Sequence, residues 1–115
     1  MEKKKILIAD DEKEIAFLLF EFLENKGYDV SFVRTSRELY CLLSGAYDHY
    51  DLVITDIHMQ DGDGDESVEL AKVFGSETPV IYITGCDDSL TMSRVTLQKP
   101  FSLQEIINRI EEVIK

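Results

Sequence analysis

Short apolar runs recur at regular intervals along the chain: Ile6-Leu7-Ile8-Ala9, Val30-Ser31-Phe32-Val33, Leu52-Val53-Ile54-Thr55, Val80-Ile81-Tyr82-Ile83 and, more weakly, Val95-Thr96-Leu97-Gln98. Their β-branched and aromatic content predicts five strands. The stretches between them repeat their apolar residues at helical spacing. Glu12 to Lys26 carries Ile15, Leu18, Leu19, Phe22 and Leu23 and stops at Gly27, a residue suited to the position after a helix. Ser36 to Ser44 carries Leu39, Leu42 and Leu43 before Gly45, and Asp65 to Phe74 carries Val68, Leu70, Ala71 and Phe74 before Gly75. Ser102 to Lys115 opens with Ser102 and Glu105 at capping-box spacing. The segment from Asp87 to Arg94 holds at most two turns of helix, with Leu90 and Met92 as its apolar anchors.

Strands alternating with helices predict an α/β domain whose parallel sheet is covered on both faces. Runs one, three and four are apolar at consecutive positions, as strands buried on both faces require. Runs two and five alternate, as edge strands do. The predicted architecture is therefore a doubly wound, five-stranded parallel sheet of order 2-1-3-4-5. Its crevice lies beyond the carboxyl ends of strands one and three.

Composition narrows the class. A chain of 115 residues with 44% hydrophobic content suits a single domain over residues 1–115, with one core and no need of disulfides or a structural metal. Cys41 and Cys86 form neither a pairing framework nor a zinc motif, so a reducing, cytoplasmic setting is expected. No apolar run approaches the ~20 residues that span a bilayer, and Met1-Glu2-Lys3-Lys4-Lys5 leads straight into the first run without a signal-peptide core. Twenty-three acids against 12 bases give a formal charge of −11. Direct nucleic-acid binding, which needs a basic face, is excluded as the expectation, and cation binding fits.

The chemistry-bearing residues fall at the carboxyl ends of the predicted strands: Asp10-Asp11 after the first, Asp56 after the third, Thr84-Gly85 after the fourth and Lys99-Pro100 after the fifth. Right-handed crossovers bring these ends to one rim. Three neighbouring carboxylates resist joint ionisation, and a hard divalent cation, Mg²⁺ or Mn²⁺, relieves them. A carboxylate nucleophile, a metal, the Lys99 ammonium and the Thr84 hydroxyl are the parts of a phosphoryl-transfer site.

In these residues the chain resembles the receiver domain of two-component response regulators, the CheY-like superfamily with its flavodoxin-like fold. The resemblance runs through Asp10-Asp11, Leu52 to Met59 with Asp56, Asp63-Gly64, Thr84 and Lys99-Pro100-Phe101. It implies that Asp56 accepts a phosphoryl group from a histidine kinase, a histidine phosphotransfer protein or a small phosphodonor. It also implies that Asp10, Asp11, Asp56 and the main-chain carbonyl of His58 hold Mg²⁺, and that Thr84 and Lys99 contact the phosphoryl oxygens. Lys99-Pro100 is expected in cis. Such a domain is a signalling switch that also dephosphorylates itself, not a conventional enzyme.

The sequence departs from the family in specific places. Gln60 stands where Pro is common, and Thr96 where an aromatic switch residue is usual. Only 14 residues separate Thr84 from Lys99, shorter than the family pattern by roughly two helical turns, so the fourth helix of the family is expected to be shortened or missing. This irregularity sustains one alternative, a pseudo-receiver interaction module that is never phosphorylated. A haloacid-dehalogenase-like phosphatase fits worse, because His58 replaces its second acid. The His58 side chain is placed at the mouth of the site and Cys86 in a loop near it. Asp61, Asp63 and Asp65 do not make an EF-hand, since Glu66 and Lys72 occupy the positions that need Gly and Glu. They read as a turn followed by a helix start.

Overall fold

The computed structural model describes residues 3–45, 49–73, 75–85, 96–98 and 101–114. In chain order the elements are β1 (Lys5–Ala9), α1 (Lys13–Asn25), β2 (Asp29–Val33), α2 (Ser36–Ser44), β3 (Leu52–Asp56), β4 (His58–Met59), β5 (Gly62–Asp63), α3 (Gly64–Val73), β6 (Val80–Thr84), β7 (Thr96–Gln98) and α4 (Leu103–Val113). The main sheet runs β2-β1-β3-β6-β7 and every pairing in it is parallel. The strands through Thr84 follow the expected order once β4 and β5, a separate antiparallel hairpin, are counted. The segment from Asp87 to Arg94, Cys86 and the Lys99-Pro100 pair lie outside the described residues.

Period-two alternation divides the core between the two faces of the sheet. Ile6, Ile8, Leu52, Ile54, Ile81 and Ile83 meet Leu19 and Leu23 of α1 and Ile106, Ile107 and Ile110 of α4. Leu7, Ala9, Val53 and Tyr82 face the other way, toward Leu39 of α2 and Val68 of α3. β1 and β3 are therefore buried on both faces, whereas β2 exposes Asp29 before, and Ser31 and Phe32 between, its buried valines. Strands clamped from both sides hold the residues that follow them rigidly, and that rigidity positions the rim.

Helix ends follow local chemistry. Ser102 and Glu105 close the expected capping box on α4. At Gly27 (φ +97°) the Gly27 and Tyr28 amides donate to the Glu24 and Leu23 carbonyls, the paired bonds of a Schellman stop. Gly75 ends α3 with the same pair of bonds, to Lys72 and Ala71. Gly45 differs: its backbone is extended (φ −75°, ψ 149°), so α2 stops without a left-handed residue. Among the described residues no helix is long and apolar enough to cross a membrane.

Candidate metal and phosphoryl site

Register brings the acids together. Ala9 pairs with Thr55 across β1 and β3, so Asp10 and Asp56 occupy the next positions on adjacent strands. Asp56 in turn pairs with Ile83, and Thr84 lies one residue beyond it on β6. Asp10 is fully buried, Asp56 and Thr84 are nearly so, and Asp11 is half-buried. One carboxylate oxygen from each of Asp10, Asp11 and Asp56 lies within 4.8 Å of the others.

That span can be judged against a cation. Mg²⁺ holds oxygens at ~2.1 Å in an octahedral shell, so three ligands on one face of that shell lie roughly 3 Å apart. The three oxygens, within 4.8 Å of one another, can surround one ion once their separations close by up to roughly 2 Å. All three donors are hard carboxylates, which suits Mg²⁺ or Mn²⁺ over softer ions. Ionised together, with two of the three buried, they repel one another, and a doubly charged ion between them reverses the sign of that interaction.

The supporting bonds are mostly from backbone. The Glu12 amide donates to Asp10 Oδ1 at 2.9 Å, the His58 amide to Asp56 Oδ1 at 3.4 Å, and the Gln60 amide to Asp11 Oδ2 at 2.9 Å. The Thr55 hydroxyl donates to the Asp56 carbonyl at 2.9 Å. The His58 side chain is largely exposed at the edge of the site, its Nδ1 3.4 Å from Asp63 Oδ1. Of the residues expected at the site, Asp10, Asp11, Asp56 and Thr84 gather at one rim, with His58 beside them. Lys99 lies outside the described residues.

Sequence reasoning missed the β4–β5 hairpin and what it does. Its two-residue loop, Gln60-Asp61, has no positive φ; the left-handed twist falls on Gly62 (φ +154°). A Cβ there would sit 2.9 Å from Ser36 Oγ. At Gly64 a Cβ would press on the Asp56 carbonyl oxygen and lie 2.5 Å from Thr55 Oγ1, so only glycine lets α3 start against the end of β3. The Asp-Gly pair was a visible signal for a turn here, but not for this close approach. Asp61 spans a longer distance: its oxygens accept from the Ser36 amide at 2.8 Å and the Arg37 amide at 3.2 Å, at the start of α2. The Ser36 amide is the main reason the Asp61 pKa falls below the usual carboxylate range; desolvation opposes the shift and the Arg37 amide adds to it.

Comparison with known proteins adds an independent line. The family described as the response regulator receiver domain matches residues 6–111. The uncharacterized transcriptional regulatory protein YkoG of Bacillus subtilis is 33% identical over all of this chain and 53% of its own length. The response regulator receiver protein CpdR of Brucella abortus is 29% identical over 96% of this chain and 97% of its own. The chain thus spans about half of several curated relatives and nearly all of CpdR. Among solved structures, the Thermotoga maritima response regulator protein TrrA, crystallised in complex with Mg²⁺ and BeF, superposes with a TM-score of 0.80 at 28% identity, over 96% of this chain and 98% of that one.

Proposed function

We propose that this chain, which belongs to the family of response regulator receiver domains, is a cytoplasmic switch phosphorylated on Asp56 in a Mg²⁺-dependent reaction. The observation that carries the reading is the gathering of Asp10, Asp11 and Asp56 oxygens within 4.8 Å at the carboxyl end of the sheet, with Thr84 one residue beyond.

Asp10, Asp11, Asp56 and the His58 main-chain carbonyl would hold Mg²⁺, which when bound supplies the positive charge that lets an anionic phosphoryl group approach an acidic rim. Asp56, fixed at the end of a strand buried on both faces, presents a carboxylate oxygen to the phosphorus. The new O–P bond forms as the N–P bond of the donor's phosphohistidine breaks, and that electron pair stays on the imidazole nitrogen, which takes a proton. The product on this chain is an acyl phosphate. The Thr84 hydroxyl donates to one phosphoryl oxygen and the Lys99 ammonium pairs with another, and both interactions strengthen as charge moves onto those oxygens. Water attack on the acyl phosphate resets the switch. The donor is a histidine kinase or a histidine phosphotransfer protein, and the output is altered binding of a protein partner.

The test is intact mass after incubation with acetyl phosphate. The expected result is a gain of one phosphoryl mass with Mg²⁺, and none in chelator or in Asp56→Asn. The 14 residues between Thr84 and Lys99 favour one second reading, a module that binds partners without phosphate. An unmodified wild-type protein that also fails to bind beryllofluoride with Mg²⁺ supports that reading instead.

A further inference from the structure

We infer that the backbone amide of Gln60 is a positioning group for Asp11, setting how tightly the rim takes its divalent cation. The inference rests on the reading of Asp10, Asp11 and Asp56 as Mg²⁺ ligands. The amide donates to Asp11 Oδ2 at 2.9 Å across 49 residues of sequence, joining the loop after β1 to the hairpin after β3. Asp11 is the most exposed of the three acids, and the other two are buried residues at a strand end. A half-buried loop carboxylate has the most rotamer freedom to lose when it takes a ligand position. A charge-assisted bond from a main-chain N–H removes that freedom beforehand and offsets part of the like-charge repulsion.

The donor is itself held in place. The next residue, Asp61, is fastened by two bonds to the Ser36 and Arg37 amides, and Gly62 lies tightly against Ser36. The Gln60 peptide is thus fixed on one side by the start of α2 and on the other by the antiparallel pair Met59–Gly62. Carboxylate ligands of metals are commonly oriented by such outer hydrogen bonds, and loss of one costs on the order of 10–100-fold in affinity. A proline at position 60 has no N–H to give. The sign of the Gln60 φ, which is negative, and the extended Met59 before it do not oppose a proline there.

The experiment titrates Mg²⁺ into wild type, Gln60→Pro and Gln60→Ala by calorimetry, and follows the residue-60 amide by NMR. The expected result is an affinity about tenfold weaker in Gln60→Pro, restored in Gln60→Ala, which keeps the N–H. In metal-free buffer, Asp11→Ala should speed hydrogen exchange of the Gln60 amide and shift its proton upfield. A folded Gln60→Pro that binds Mg²⁺ as wild type does overturns the inference. Should Gln60→Pro not fold, a Gln60 amide indifferent to Asp11→Ala overturns it equally. A wild-type protein that takes no Mg²⁺ fails the underlying reading instead, and the two failures are separate.

Discussion

Strand β3 has an aspartate beside each of its ends, and the two live in opposite surroundings. Asp51, just before it, accepts the Lys5 amide at 2.8 Å and returns its own amide to the Lys5 carbonyl. It lies 3.6 Å from His49 and keeps about a quarter of its side chain in water. Asp56, at the other end, is buried beside two more carboxylates. Asp51 extends the pairing of β1 and β3 by one step. Asp56 sits among like charges where little water reaches to screen them. The same residue type is structural just before the strand and, at its other end, part of a repelling cluster that a cation can relieve.

The largest expected effect separates the two acids by function. Asp56→Asn should abolish phosphoryl uptake from acetyl phosphate, while Asp51→Ala retains it; intact mass reads both. Stability should move in the opposite sense. In Mg²⁺-free buffer Asp56→Asn should be more stable than wild type, because a neutral amide removes a like charge from the cluster. Asp51→Ala should lose about 1 kcal/mol with its backbone hydrogen bond. Urea unfolding of both variants checks the signs.

Gly64→Ala comes next. The added methyl meets the Asp56 carbonyl and Thr55 Oγ1, so a loss of about 1–3 kcal/mol is expected from overpacking, together with slower phosphoryl uptake. Gly27→Ala forces a left-handed residue at the far end of α1 and should cost about 1 kcal/mol with uptake unchanged. Denaturant midpoints and uptake rates, measured together, show whether the two losses divide by location.

Much of this contrast was legible before any coordinates. The apolar runs, their alternation and the glycine stops are local signals, and they located the first four strands, their order in the sheet and the rim where Asp10, Asp11, Asp56 and Thr84 gather. The β4–β5 hairpin was not legible, because strands of two residues carry no period. The Asp61 clamp on α2 spans 25 residues and leaves no local trace; Asp61 looked like one acid in a turn. The Gln60 amide was invisible for a different reason: it is a main-chain group, and side-chain patterns do not say where an N–H points. Gly45 had the composition of a left-handed stop but not its conformation, since the chain leaves α2 extended.

The smallest effect is a pH dependence. The Asp61 pKa is lowered in the fold, chiefly by the Ser36 amide. The stability it contributes is therefore fully present above the unfolded carboxylate pKa of about 4, and is lost as pH falls through the lower folded value. Asp61→Asn should flatten that part of the acid limb in urea unfolding below about pH 4, leaving the rest of the profile in place.

The position at which a phosphoryl group ends up is the most direct test. Borohydride reduces an aspartyl phosphate to homoserine, which peptide mapping locates. After treatment with acetyl phosphate and Mg²⁺ the account predicts homoserine at position 56 alone, and none when Mg²⁺ is chelated. Homoserine at position 51 or elsewhere, a label indifferent to Mg²⁺, or no label at all would contradict it.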